Sequence, residues 1–230
     1  MKKALISALR KLGGAMLPGL EPRNLKHELQ RMATRETAEY VRRHMRGVPS
    51  IGTRRALRDL AIDRCSIEGG LVLEFGVCAG ATINHIAARR DWIVDGFDSF
   101  EGLPERWRDG YDKGRFATGA PPRVRANVRL HTGMFDRTIP AFLAGPDAGQ
   151  RPISFLHVDC DLYSSTRTIF DLLGDRVVPG TIILFDEYFN YDGWQDGEFR
   201  AFQEFVAARG VAYEYLSYTY KHEQVAVRIL

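Results

Sequence analysis

Apolar positions along the chain change their period near residue 71. Upstream, "ETAEYVRRHM" and "TRRALRDLAIDRC" space apolar residues as one face of a helix, with arginines and acids between. At "GGLVLEFGVCAG" a short apolar run, Leu71 to Phe75, meets a glycine-containing turn, and "ATINHIAARR" resumes helical spacing. The alternation then repeats. "WIVDGFDSF", "VRLHTGMF" and "ISFLHVDCD" read as strands, with "IPAFLAG" and "SSTRTIFDLLGD" helical between and after them. "VVPGTIILFDEY" gives a Pro-Gly turn and a fifth strand, "GEFRAFQEFVAARG" a helix, and "AYEYLSYTY" with "EQVAVRIL" a closing hairpin.

Strands alternating with helices predict an α/β fold built on a parallel sheet covered on both faces. The pattern divides the chain into a helical segment over residues 1–70 and an α/β domain over residues 71–230. Between the second and third strands, "RWRDGYDKGRFATGAPPRVRAN" has turn formers and charges but little periodicity. Long loops of this kind in compact domains often carry function. Residues 1–70 and the loop 105–126 are therefore expected to form a lid over a ligand pocket.

Composition narrows the class without naming it. The 230 residues are 45% hydrophobic and 27% charged, and the net charge of +3 is not the basic excess of a nucleic-acid binder. Cys65, Cys78 and Cys160 show no paired spacing and read as reduced thiols of a cytoplasmic protein. The opening "MKKALISALRKLGGAMLPGL" is broken by Arg10 and Lys11, so an amphipathic docking helix is expected and stable membrane insertion is not.

In an open parallel sheet, ligands bind at the carboxyl ends of the strands. Glu74, Asp98, Gly133, Asp159 and Asp186 all fall at such ends. In "EFGVCAG", Gly76 and Gly80 let backbone approach a ligand at the start of a helix. A carboxylate at Glu74 suits a cofactor with a cationic amino-acid moiety and repels a pyrophosphate. Asp98 ends the next strand, where a carboxylate can accept from both hydroxyls of a ribose. Together these describe a nucleoside cofactor without a pyrophosphate, and S-adenosylmethionine fits. The GxGxxG of dinucleotide sites, which a dehydrogenase would need, is missing.

Asp159 and Asp161 lie two apart on an extended chain, on one side if the strand persists, and Asp186 and Glu187 end the neighbouring strand. Two carboxylates about 4 Å apart repel by about 4 kcal/mol at an effective dielectric near 20. A hard divalent cation relieves that repulsion, and Mg²⁺ takes all-oxygen ligands. His157 shares the parity of Asp159 but sits deeper, and it reads as a core histidine, as His131 and His85 do. Tyr188, Asn190, Tyr191 and Trp194 either wall a pocket or pack the last helix.

"GFDSFEGLPE", "HVDCDLYSST" and "FDEYFNYDGW…GEFRAFQEF" occur in that order. They resemble the metal-dependent sugar O-methyltransferases related to the macrocin, mycinamicin and novobiocin enzymes, over about residues 70–230. The resemblance implies a class I, Rossmann-like methyltransferase fold with a seven-stranded sheet whose last strand is antiparallel. It implies methyl transfer from S-adenosylmethionine to a hydroxyl of a sugar or glycosylated natural product, with Mg²⁺. By position it implies Asp159, Asp186 and Glu187 as metal ligands and Asp161 as general base. Glu74, Gly76, Asp98 and Ser99 would hold the methionine and ribose parts, and Gly133, Met134 and Phe135 would border the adenine.

Two departures stand out. Glu187 replaces an aspartate typical of the antibiotic enzymes, and Cys78-Ala79-Gly80-Ala81 replaces their Trp-Arg-Gly-Gly. The first keeps a carboxylate on a longer arm. The second does not carry a macrolide or aminocoumarin acceptor over to this chain. Two alternatives share the same fold: a catechol-type O-methyltransferase acting on an aromatic diol, and a non-catalytic S-adenosylmethionine-binding protein. A small-molecule hydroxyl acceptor is the expected partner, and the N-terminal helical arm is compatible with a homo-oligomer.

Overall fold

The computed structural model describes residues 24–230, so the amphipathic helix expected at the start of the chain lies outside the described residues. The helical segment upstream of the sheet contains α1 (Leu25–His44) and α2 (Arg54–Asp63). Both open on a side-chain cap. Asn24 Oδ1 accepts from the His27 amide, and Thr53 Oγ1 from the Ala56 amide. α1 starts well before the stretch whose periodicity predicts it; Tyr40 and Val41 pack its C-terminal half on the core, and Ala33 and Thr37 are buried upstream of them.

The strands are β1 (Ser50–Ile51), β2 (Leu71–Phe75), β3 (Val94–Asp98), β4 (Val128–Thr132), β5 (Ile153–Val158), β6 (Ile182–Phe185), β7 (Tyr213–Thr219) and β8 (Val225–Ile229). Between them run α3 (Ala81–Arg89), α4 (Phe135–Ala144), α5 (Tyr163–Leu173) and α6 (Glu198–Arg209). One sheet has the order β1-β7-β8-β6-β5-β2-β3-β4. Neighbours are parallel except where β8 runs against both β6 and β7.

The expected sheet is present with one strand more than predicted. Ser50 and Ile51 pair with Tyr218 and Thr219 and make eight strands where seven are expected. A two-residue strand carries no periodicity of its own; only the free edge of β7 creates it.

Side-chain alternation sorts the sheet into two cores. In β6, Ile183 and Phe185 face one side with α4, α5 and α6, while Ile182 and Leu184 face α2 and α3. In β2, Leu71, Leu73 and Phe75 join the first cluster and Val72 the second. Glu74 thus has the parity of the α2 and α3 side.

The strand ends are locked to one another. Each ladder continues one residue past its strand: Gly133 N donates to Asp98 O (2.9 Å), Gly76 N to Phe97 O (3.0 Å), Asp159 N to Phe75 O (2.9 Å) and Asp186 N to Val158 O (2.9 Å). The polar residues that follow the strands therefore leave the sheet along one edge.

Candidate active site

A cavity of about 760 Å³ opens along that edge. One part is walled by Gly76 to Ala79, Asp98, Ser99 and Gly133 to Asp136; the other by Asp159 to Asp161, Asp186 and Glu187. Gly102 to Pro104 line it as well, joined by Glu105 and Phe116 of the long loop, so this loop does border the site. Among the described residues of the helical segment, Arg54 alone lines it.

The turn after β2 has little freedom. Gly76 sits at φ 93°, and a Cβ there would lie 1.7 Å from the carbonyl oxygen of Asp159. Only glycine permits that approach of the two strand ends. Gly80, at φ 77°, starts α3. Asp98 holds the turn by its side chain: Oδ2 accepts from the amides of Val77 (2.8 Å) and Cys78 (2.7 Å), and Oδ1 from that of Phe100 (2.7 Å). Asp98 borders the cavity, yet its carboxylate already accepts three backbone hydrogen bonds. Ser99 likewise accepts from the Glu101 amide at 3.2 Å.

Glu74 differs from its expected setting. It has no solvent exposure and is not among the cavity-lining residues. Its Oε2 lies 3.2 Å from His157 Nδ1, while Oε1 has no hydrogen-bond partner. Burial pushes its carboxyl up, against the pull of His157.

The acids do converge. One donor atom from each of His157, Asp159 and Asp186 falls within 4.8 Å of the others. Asp186 is gripped on several sides: Gln224 Nε2 donates to its Oδ2 (3.0 Å) and backbone oxygen (3.1 Å), and Arg54 Nη1 is 3.5 Å from Oδ2. His157 Nε2 faces its Oδ1 at 3.9 Å. Burial would raise the Asp186 carboxyl, but His157 and Arg54 hold it down to about 2. Burial favours the neutral imidazole of His157, yet Asp186 and Glu74 raise it to about 10. A buried imidazolium therefore offsets part of the carboxylate charge.

Asp159 and Glu187 are pushed well above the usual carboxylate range, first by burial and then by Asp186. Glu187 Oε2 is buried and unpartnered, while its amide donates to Glu198 Oε2 at 3.1 Å. The third member of the converging group is His157 and not Glu187, but Glu187 lines the same cavity with an orphaned carboxylate oxygen, and carboxylate oxygens of this kind are the donor chemistry of a hard divalent cation. Asp161 stands apart from them, in the left-handed region at φ 65°. Burial raises its carboxyl to about 7, with Arg108 opposing.

Sequence reasoning misses four contributors. His157 and Gln224 support Asp186, Glu198 holds the Glu187 amide, and the Arg108 charge opposes the rise of the Asp161 carboxyl. The parity shared by His157 and Asp159 is the one signal for any of these; the rest come from distant segments. Arg108 stacks 3.8 Å over Trp107 and 4.9 Å from Tyr191, with Glu223 at 3.3 Å, and so fastens the long loop to the β7–β8 turn. Tyr188, Tyr191 and Trp194 are buried in the core under α6, which decides between their two readings in favour of packing.

Residues 73–188 match the family described as a methyltransferase domain. A curated relative, an 8-demethyl-8-(2,3-dimethoxy-α-L-rhamnosyl)-tetracenomycin-C 4'-O-methyltransferase from Streptomyces olivaceus, is 33% identical over 116 residues. That match covers 44% of this chain and 42% of the relative, so the chain spans less than half the length of the relative it matches. The calicheamicin methyltransferase CalS11 superposes with a TM-score of 0.58 at 21% identity, over 91% of this chain and 94% of its own. The O-methyltransferase NovP does so with 0.53 at 22% identity, over 76% of each chain. These two likenesses concern the fold, and no helix among the described residues is long and apolar enough to cross a membrane.

Proposed function

This chain belongs to the methyltransferase-domain family, and from that premise we propose that it transfers the methyl group of S-adenosylmethionine to a hydroxyl of a sugar-containing small molecule, with Mg²⁺. The observation that carries the proposal is the sharing of one cavity by the glycine turn Gly76–Ala79 and the acidic strand ends Asp159, Asp186 and Glu187; Gly80, expected at the cofactor, is not among the lining residues. A cofactor held on the turn would share its space with the acids. The tetracenomycin relative, named for 4'-O-methylation of a rhamnosyl group, supports a glycosyl acceptor.

The division of labour follows from the residues. The turn held by Asp98 presents its backbone to the nucleoside, and Ser99 stands beside it. Gly133, Met134 and Phe135 wall the far end, where Met134 is 44% exposed and offers an apolar face to a base. Glu74 lies outside the cavity and supports the acids through His157, which faces Asp186. Asp159, Asp186 and Glu187 would hold the cation. When bound there, it would lower the pKa of an acceptor hydroxyl and fix its direction. Asp161, with its carboxyl near 7, is poised to take that proton at neutral pH. Loop residues Glu105 and Phe116 exclude water from the same space.

Calorimetric titration with S-adenosylmethionine, in Mg²⁺ and then in EDTA, tests the assignment. Binding that survives EDTA, joined to metal-dependent methylation within a panel of rhamnosyl and other glycosyl acceptors, is the expected result. No binding in either condition would overturn the cofactor assignment, and transfer unaffected by EDTA would overturn the metal.

A further inference from the structure

We infer that Asn190 and the α1 residues Gln30, Thr34 and Thr37 form a clasp that sets the position of the Asp186–Glu187 acid pair, so that α1 is a positioning element of the active site; this rests on the cation reading above.

The segment from Asp186 to Asn190 has neither helix nor strand structure, so tertiary bonds alone fix its path. On one side the β7–β8 turn holds it. The amides of Tyr188 and Phe189 point at Glu223 O (3.0 and 3.4 Å), and Gln224 grips Asp186. On the other side α1 holds its far end. Asn190 N donates to Thr37 Oγ1 at 2.9 Å, and Asn190 O accepts from Gln30 Nε2 at 2.8 Å. Asn190 Oδ1 lies 2.9 Å from Thr34 Oγ1, whose single proton also faces Gln30 O at 2.8 Å. Asn190 Nδ2 donates to His222 O at 3.3 Å and links the two sides.

Residues 30, 34 and 37 share one face of a helix, and all three meet one residue. Asn190 adopts a left-handed backbone, φ 65°, a conformation Asn accepts more readily than most L residues. Tyr40, on the next turn of α1, adds a hydroxyl bridge to Tyr215 (2.5 Å), which Tyr188 also meets at 2.8 Å. Only three residues separate Asp186 from Asn190, leaving the acid pair little slack. A shift of α1 along its axis therefore bears on Glu187, whose amide is tied to Glu198 Oε2 but whose own Oε2 has no protein partner to hold it.

The test uses Mn²⁺ as a probe, titrated by calorimetry into full-length protein saturated with S-adenosylhomocysteine. Thr37→Val keeps the shape and removes the acceptor; Thr37→Ser restores it. Asn190→Gly keeps the backbone angle at no strain and deletes the side-chain bonds, so it reports even if Thr37→Val folds poorly. Thr37→Val and Asn190→Gly should bind Mn²⁺ roughly fivefold or more weakly, with S-adenosylhomocysteine affinity unchanged and Thr37→Ser near wild type. Unchanged Mn²⁺ affinity in both variants, or a parallel loss of S-adenosylhomocysteine binding, overturns the clasp alone. A wild-type protein that takes up no Mn²⁺ overturns the cation reading and the clasp with it.

Discussion

His157 and Glu74 stand opposite each other in the β2–β5 register, without solvent exposure, and Nδ1 of the first lies 3.2 Å from Oε2 of the second. The pair sits directly under the acid cluster, and its charge state decides how much carboxylate repulsion remains there. The imidazole is raised to about 10 by Asp186 and Glu74, while burial pushes the Glu74 carboxyl up against it; an ionised pair makes a specific prediction. Breaking a buried ion pair strands the remaining charge, which costs about 3–5 kcal/mol. His157→Leu should lower stability by that order in urea unfolding. The double variant His157→Leu/Glu74→Leu should recover part of the loss, because Glu74 is then not stranded, while Asp186 still lacks its imidazole partner. A single-variant loss below about 1 kcal/mol would mean that the pair is not ionised.

The cofactor turn and the acid cluster should separate under mutation. Asp98 accepts three backbone amides, two of them from the turn itself, so Asp98→Ala releases Val77 and Cys78. Bonds to a charged acceptor contribute about 1.5–3 kcal/mol each. S-adenosylhomocysteine affinity should fall by roughly tenfold or more, and thermal stability should fall with it. Asp159→Ala should abolish turnover and leave that affinity within about threefold. Equal losses of affinity in both variants would sink this division of roles.

The readable and unreadable parts of the site differ in kind. Asp159 and Asp186 are legible because a buried parallel strand is an apolar run, and an acid that ends the run must stand at the sheet edge. The order of strands and helices is legible for the same reason, down to the closing hairpin of β7 and β8. Depth is not legible. Glu74 and Asp98 both end strands on paper, but Glu74 lies one residue inside β2 and turns toward α2 and α3, where it meets His157. Partners from distant segments leave no local trace: Gln224, Glu198 and Arg108 reach the acids only once β8, α6 and the long loop are packed. β1 is invisible because its pairing partner, the edge of β7, is its whole cause.

Acid sensitivity should have an identifiable source outside the active site. Asp95 is buried, and burial alone would raise its carboxyl. His131 Nε2 at 2.9 Å and the two-pronged Arg129, at 2.8 and 2.7 Å, outweigh burial and hold it below the usual range. A depressed carboxyl contributes stability that is complete above its unfolded value, near 3.9, and is lost as pH falls through the folded value. Asp95→Asn should therefore be less stable than wild type at about pH 6, by on the order of 2 kcal/mol. The gap should narrow at about pH 3 and below, as wild type itself becomes protonated. Urea midpoints across that range check this, and a gap independent of pH would count against it.

Gly76 tests whether the cofactor turn and the acid cluster form one rigid body. Its positive φ is shared with Gly193, at 79°, but their surroundings differ: a Cβ at Gly193 meets nothing within 4 Å, whereas one at Gly76 meets Asp159 O at 1.7 Å. Gly193→Ala should cost only the left-handed penalty, about 1–2 kcal/mol. Gly76→Ala adds a clash with backbone that cannot move without breaking the Asp159 N to Phe75 O bond. Because that backbone carries Asp159, the variant should lose S-adenosylhomocysteine and Mn²⁺ binding together, and more stability than Gly193→Ala. Equal stability of the two variants, or a Gly76→Ala protein that loses one ligand and keeps the other, would show that the two halves of the site move independently.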